Sequence, residues 1–212
     1  MTDNHPAGPG ADATLEFWFD FASPYSYLSV MRIEAAAAAS GVALRWKPFL
    51  LGPVFKALGW PAAPFVVQKE KGEYVWKDLA RRAAKYGLPL HRPAEFPRLF
   101  LLPPRVALAG EGQPWVPEFC RRLMQLNFSR GDEVDINSPL VVAAELARLG
   151  QPAEALIAEA NGAPIKARLK AQTETARARG MFGAPTFFVG DEMFWGDDRL
   201  EDALAYATGA AP

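Results

Sequence analysis

The residues Ser23-Pro24-Tyr25-Ser26 form the part of this chain whose types and spacing most strongly suggest chemistry. They follow an aromatic run at 15–21 (LEFWFDF) and precede an alanine-rich helical pattern. A serine before a proline is a common helix start, because the hydroxyl accepts a hydrogen bond from a free helix amide and proline needs no partner for an N–H it lacks. Taken alone, the pattern favours a helix cap over a catalytic group. The same hydroxyl could also stabilise an anion held at the helix N-terminus.

A second group of such residues lies near the C-terminus. Gly183-Ala184-Pro185-Thr186 leads into an aromatic run, and Trp195-Gly196-Asp197-Asp198 follows a second run after the turn at Gly190-Asp191. A glycine-containing two-residue turn between apolar runs predicts a β-hairpin. Judged alone, Pro185 is a proline at a strand start, and the two aspartates are helix-capping residues.

Composition excludes several function classes. The formal net charge is −1 and the basic residues are dispersed, which argues against nucleic acid as a partner. No apolar run approaches the roughly 20 residues of a membrane helix, so we expect no membrane partner. With one cysteine and two histidines, a metal site of the usual zinc type is not expected. The lone Cys120 makes a cytoplasmic location the default, and residues 1–13 are interpreted as a disordered lead-in.

The elements that must position these residues follow from periodicity. Residues 15–21 alternate as a strand, 26–40 form a helix closed by Gly41, and 42–46 alternate as a second strand. This β-α-β opening predicts two parallel neighbouring strands. Between 52 and 179 the pattern is helical, with strands returning only at 185–189 and 192–195 before a last helix at 199–207. The predicted helices of the middle region are 68–87, 103–111, 115–129, 138–149, 152–160 and 162–180.

The chain therefore has an α/β unit interrupted by helices. In this layout, and in the segments FDFASPYSYL (19–28) and FGAPTFFVGDEMFWGDDRL (182–200), it resembles the 2-hydroxychromene-2-carboxylate isomerases and the related kappa-class glutathione transferases. The resemblance implies a thioredoxin-like fold of the DsbA type with a large all-helical insertion. On that basis 14–52 and 181–210 form a discontinuous thioredoxin-like domain, and 53–180 form the inserted helical domain.

The resemblance also implies a cofactor, glutathione, and a role for each site residue. Ser23 is the catalytic residue and stabilises the glutathione thiolate, while the backbone of Ala184, before a cis Pro185, pairs with the glutathione cysteine. The γ-glutamyl end is expected in a pocket formed by Trp195, Gly196, Asp197 and Asp198. Lys56, Trp60 and Phe96 are expected to bind a small aromatic carboxylate substrate. Trp60 stands where relatives commonly carry asparagine, and Phe96 where close isomerases can carry tyrosine.

The implied activity is a glutathione-dependent cis-trans isomerisation of 2-hydroxychromene-2-carboxylate-type intermediates of aromatic catabolism, by thiolate addition. The resemblance also implies a homodimer. Two alternatives stay open at this stage: a kappa-like glutathione transferase that releases a conjugate, and a glutathione-binding module without turnover. A dithiol oxidoreductase is disfavoured, because the chain has a single cysteine, outside the Ser23 turn.

Overall fold

The structure, a computed structural model, describes residues 13–60, 63–130 and 134–210. The predicted lead-in at 1–13 lies outside the described residues except for Ala13. A four-stranded mixed sheet in the order β2-β1-β3-β4 organises the molecule. Its strands are β1 (Thr14–Phe19), β2 (Ala43–Pro48), β3 (Thr186–Val189) and β4 (Glu192–Trp195). β1 pairs in parallel with β2 and antiparallel with β3, so the predicted parallel opening and the predicted closing hairpin are both confirmed.

Strand β1 is buried on both faces. Phe17 and Phe19 face one cluster of buried side chains, and Trp18 faces a second cluster with Phe49 and Phe188. An aromatic run suits a central strand, because both of its faces pack against covering elements. The strand ends at Phe19, two residues before the predicted end, because Asp20 begins a tight turn that closes with the Ser23 N–H donating to the Asp20 carbonyl at 3.0 Å.

The helix predicted at 26–40 is wrong in its extent and continuity. The structure has α1 (Pro24–Val30) and α2 (Ile33–Ser40), separated at Met31 and Arg32. Neither glycine nor proline lies at the break, so local sequence gives no warning of it. At the break, Arg32 forms ion pairs with two acids near the other end of the chain, Asp197 and Glu201. Gly41 adopts φ 65° and ends α2 as predicted, in a conformation that glycine tolerates best.

Helices make up the middle of the chain, and within the described residues no strand from 60–175 joins the sheet. Six helices agree with the predicted ones to within a few residues at each end. Two short helices after β2 were not separately predicted. The helices are α3 (Leu51–Ala57), α4 (Pro64–Val67), α5 (Lys69–Lys85), α6 (Leu102–Ala109), α7 (Val116–Phe128), α8 (Pro139–Arg148), α9 (Ala153–Ala160) and α10 (Ala163–Ala178).

The C-terminal segment returns to the sheet and then turns into a helix. A 3₁₀ helix (Asp197–Arg199) precedes α11 (Leu200–Ala207), so the helix predicted at 199–207 has an extra turn at its start. The main hydrophobic cluster contains side chains from the sheet and from the helical middle, for example Phe17 with Phe119 and Leu123. The division into a thioredoxin-like unit and an inserted helical unit stays a prediction, and the two share this core.

Candidate functional site

Ser23 caps helix α1. Its backbone is extended (φ −88°, ψ 116°), and its Oγ accepts a hydrogen bond from the Ser26 N–H at 3.1 Å. Pro24 has no N–H, and the Ser23 N–H already donates to Asp20. The Tyr25 N–H therefore has no intrahelical acceptor in this first turn. The cap interpretation of Ser23 is confirmed.

The hydroxyl of Ser23 has a second partner, far away in the sequence. It donates a hydrogen bond of 3.0 Å to the backbone carbonyl of Ala184. The Ala184-Pro185 peptide bond is cis, as predicted. Ser23 is only 6% exposed, so the hydroxyl and the cis-proline loop meet at a largely buried point. The structure thus brings together the two segments that carry the resemblance.

The cis-proline loop is held by its own hydrogen bonds. The Thr186 hydroxyl donates to the Gly183 carbonyl at 3.0 Å, and the Gly196 N–H donates to the Pro185 carbonyl at 3.0 Å. Within the described residues the Ala184 N–H has no hydrogen-bond acceptor. Ala184 therefore presents an unused donor beside an acceptor that only a hydroxyl occupies. An extended peptide could pair with both groups as an added strand does.

Asp20 lies directly under the Ser23 turn and was missed by the sequence analysis. Its Oδ1 accepts from the Ala22 N–H at 2.7 Å, and its Oδ2 accepts from the Leu51 N–H at 2.6 Å. It is 6% exposed, and burial raises its pKa to about 6 although both hydrogen bonds act in the opposite direction. An acid at the end of an otherwise aromatic strand was the available signal.

Gly196 and Gly183 shape the other side of the loop. Gly196 has φ 113° and ψ 151°, a conformation open essentially to glycine alone, and a Cβ there would lie 2.6 Å from the Asp198 carboxylate. A Cβ on Gly183 would lie 2.2 Å from the indole nitrogen of Trp195. Trp195 is half-exposed and packs edge-on against Phe182, with ring centroids 4.7 Å apart. The rings of Phe182 and Trp195 thus form an aromatic surface next to Gly183, the residue before Ala184.

The two neighbouring aspartates have different surroundings. The Asp198 side chain is half-exposed and forms an ion pair with Arg199 at 3.2 Å. The Asp197 side chain is fully buried and pairs with Arg32 at 3.3 Å and Arg82 at 2.7 Å. It also accepts from the Ser29 and Tyr86 hydroxyls.

Asp197 therefore connects three parts of the fold. Arg82 and Tyr86 belong to α5, Ser29 belongs to α1, and Asp197 opens the 3₁₀ helix. Its carboxylate is already neutralised and hydrogen-bonded by the protein. Of the two acids, Asp198 has the carboxylate that an incoming ammonium could reach. The assignment of both residues to a γ-glutamyl pocket stays a prediction.

Two of the predicted substrate-binding residues lie on helix α3 or just after it. Lys56 is exposed, and Trp60 just beyond the helix is 39% exposed, with its ring centroid 5.5 Å from that of Phe55. Val54 of the same helix packs in the second hydrophobic cluster, to which Ala184 also contributes. The helix that carries Lys56 and the cis-proline loop thus contribute to the same hydrophobic cluster.

Phe96 lies on the long segment between α5 and α6. Its ring is 5.0 Å from that of Trp76 and nearly perpendicular to it, so it packs on the helical middle of the chain. The Phe96-Pro97 bond is a second cis peptide. Phe96 is partly buried and packs against the main hydrophobic cluster, whereas Leu51 and Val54 of α3 pack in the second cluster. Its role in substrate binding stays a prediction.

The described residues contain no group of three or more His, Cys, Asp or Glu side chains that could hold a metal ion. Among the helices of the described part of the chain, none has both the length and the apolar character needed to cross a bilayer. Cys120 is buried in α7, and burial raises the pKa of its thiol well above the usual value, which disfavours a reactive thiolate.

Sequence comparison decides the family. The model of the DSBA-like thioredoxin domain matches residues 14–207, nearly all of the described chain. The chain belongs to the DSBA-like thioredoxin domain family. A solved 2-hydroxychromene-2-carboxylate isomerase superposes with a TM-score of 0.79 at 29% identity, over 88% of this chain and 90% of the other. The predicted DsbA-type thioredoxin fold with a helical insertion is confirmed.

Within the DSBA-like family, the chain is similar to two groups of enzymes. A 2-hydroxychromene-2-carboxylate isomerase of Pseudomonas putida is 31% identical over 88% of this chain and 90% of its own length. A kappa 2 glutathione S-transferase of Caenorhabditis elegans is 27% identical over 88% of each chain. Both relatives are enzymes, and the predictions that this chain is an enzyme and resembles these groups are confirmed.

Proposed function

We propose that the protein is a glutathione-dependent isomerase acting on compounds of the 2-hydroxychromene-2-carboxylate type in aromatic catabolism. The observation that supports it best is the hydrogen bond from the Ser23 hydroxyl to the Ala184 carbonyl, next to a cis proline and an unpaired N–H. It joins a donor suited to a thiolate with backbone groups suited to a peptide-like cofactor. The similarity to three isomerases supports the same reaction.

The residues present fit glutathione. When bound, glutathione supplies a thiol that adds reversibly to an activated double bond. The N–H and C=O of Ala184 would hold its cysteine backbone, and Asp198 would pair with its ammonium group. Ser23 would then turn its O–H from the Ala184 carbonyl to the sulfur while still capping α1. A hydrogen bond to a charged group contributes roughly 1.5–3 kcal/mol, enough to lower a thiol pKa by about one to two pH units.

The substrate side of the proposal is helix α3. Lys56 would attract the carboxylate of the substrate, and the Phe55–Trp60 pair offers an aromatic surface beside it. Phe96 is retained as a third substrate contact. The proposal includes a homodimer, a cytoplasmic location and no nucleic-acid or membrane partner. By orienting the substrate and stabilising the thiolate, the protein would supply position and electrostatics.

A kappa-like transferase is the second candidate function. The kappa-class relatives support it. Trp60 and Phe96 also support it, because by the resemblance they stand where relatives commonly carry asparagine and where close isomerases can carry tyrosine. An isomerase regenerates glutathione in each cycle, whereas a transferase consumes one glutathione per product. Product stoichiometry therefore separates the two functions.

The test combines binding with product analysis. Calorimetric titration with glutathione is expected to show one site per chain, and S-methylglutathione serves as a control that binds without a free thiol. Turnover of 2-hydroxychromene-2-carboxylate should then need glutathione in catalytic amounts only. Binding without turnover of this compound or of a general electrophile would leave a glutathione-binding module, and the absence of binding would overturn the proposal.

A further inference from the structure

The Asp20 carboxylate joins two segments that the proposed function needs to align. One oxygen accepts from the Ala22 N–H at 2.7 Å and the other from the Leu51 N–H at 2.6 Å. The group is nearly buried, at 6% exposure. Its two oxygen atoms thus bind two different main-chain segments, one of them at Leu51, which is 31 residues from Asp20 in the sequence.

The first segment is the turn that presents the catalytic hydroxyl. The Asp20 side chain binds Ala22, and the Asp20 carbonyl accepts from the Ser23 N–H at 3.0 Å. Short side-chain-to-backbone bonds of this kind fix the path of a turn. The position of the Ser23 hydroxyl relative to β1 therefore depends on the Asp20 side chain.

The second segment is the start of helix α3. Leu51 is the first residue of the helix, so its N–H has no acceptor within the helix, and Asp20 accepts it from another element. The neighbouring Leu50 N–H is bound by the Thr173 hydroxyl of α10 at 3.2 Å. Helix α3 carries Lys56, five residues after Leu51.

We propose that Asp20 is a positioning residue that holds the Ser23 hydroxyl and the Lys56 helix in one fixed relation, which rests on the proposed function. The geometry requires a carboxylate. Asparagine has one acceptor oxygen, and its NH₂ group would face one of the two N–H donors. A residue that only filled space would need no second acceptor, and burying a carboxylate is costly when a neutral side chain would serve.

The variant D20N tests the inference because it keeps the shape and removes one acceptor. We expect the affinity for glutathione to change less than about threefold, since Ala184 and Asp198 are untouched. The KM for 2-hydroxychromene-2-carboxylate should rise about tenfold, as expected when a binding contact is misplaced. The pKa of the bound glutathione thiol, followed by ultraviolet absorbance, should rise as well.

A double-mutant cycle with K56M separates positioning from general damage. If Asp20 acts on KM through Lys56, D20N should have little further effect on KM once Lys56 is gone. Additive effects of the two changes would overturn the inference. The control E145Q alters another nearly buried carboxylate, on α8, which pairs with Arg122 and Arg148, and should leave KM and the thiol pKa unchanged.

Amide hydrogen exchange without ligand gives a result that is independent of the proposed function. In D20N the amides of residues 21–23 and those of residues 50–57 other than Pro53 should exchange faster by about tenfold, while those of α2 keep their rates. Faster exchange in only one of the two segments would overturn the inference even if glutathione binds. A failure of the wild-type protein to bind glutathione would overturn the proposed function and leave the hydrogen-exchange result to decide the structural coupling.

Discussion

The Ser23 hydroxyl and the Ala184 carbonyl, 161 positions apart in the chain, lie 3.0 Å from each other. The hydroxyl also accepts from the Ser26 N–H, so its acceptor side serves the helix and its single proton serves the loop. A bound cysteine backbone at Ala184 would take over the carbonyl and release that proton. Helix capping and thiolate stabilisation thus use different sides of one oxygen atom.

The first prediction concerns Ser23→Ala. Losing the cap should cost about 0.5–2 kcal/mol of stability, seen as a lower Tm. Losing the donor should raise the pKa of bound glutathione by about one to two pH units and lower turnover by about ten- to a hundredfold. Glutathione affinity should fall less, because its backbone and ammonium contacts remain.

Ultraviolet titration of the bound thiolate in both proteins is the measurement. Ser129→Ala, which removes a hydroxyl bonded to the Gln125 carbonyl at the end of α7, is the matched control and should leave the thiol pKa unchanged. Identical titration midpoints for wild type and Ser23→Ala would mean that Ser23 is a cap and nothing more.

Asp197 and Asp198 should respond in opposite ways to the same change. Asp197→Asn leaves two arginines against a neutral group and should lower the free energy of unfolding by about 3 kcal/mol or more. Asp198→Asn should change stability by less than about 0.5 kcal/mol, since its side chain is half-exposed, but should weaken glutathione binding about tenfold. Urea unfolding and calorimetry distinguish these outcomes, and equal losses of affinity without a stability difference would contradict the assignment.

The free energy of unfolding should depend on pH because of Asp20. Its pKa is about 6 in the folded protein and near 3.8 when unfolded, so the folded state holds the proton more tightly. Its contribution to stability is then fully present below about pH 4 and is lost as the pH rises through 6, a change of roughly 3 kcal/mol. Unfolding of wild type and Asp20→Asn, followed from about pH 4 to pH 8, should show this loss only in the wild type. Parallel curves would contradict the buried ionisation.

Lys56→Met should separate charged from uncharged substrates. We expect the KM for a carboxylate substrate to rise about tenfold, with the KM for an uncharged electrophile and the affinity for glutathione unchanged. The control is Lys166→Met, which removes the same charge from an exposed lysine of α10. A similar rise in KM for both substrates would indicate damage to α3 rather than loss of a carboxylate contact.

Much of the fold could be predicted because local patterns and tertiary structure agree. The aromatic strand, the glycine turn of the hairpin and the serine-proline helix start each have a local physical cause. The break between α1 and α2 has none, and it coincides with the ion pair between Arg32 and Asp197 from the opposite end of the chain. No window of local sequence contains both residues.

The candidate site divides in the same way. Ser23, Ala184 and Pro185 could be predicted because their segments carry a recognisable resemblance, and the structure places them in contact. The different surroundings of Asp197 and Asp198 could not, because adjacent identical side chains look alike until the partners of each are known. The role of Asp20 depends on Leu51, which lies 31 residues away in the sequence and whose N–H, at the first position of α3, has no acceptor within its own helix.

The order of the sheet has a consequence for synthesis on the ribosome. β1 emerges first but lies between β2 and β3, and β3 begins only at Thr186. At about 5–20 residues per second, one edge of an aromatic strand waits roughly 10–30 s for its partner. During that interval the nascent chain exposes an unpaired backbone edge beside Phe17 and Trp18, the kind of surface that chaperones shield and that aggregates otherwise recruit.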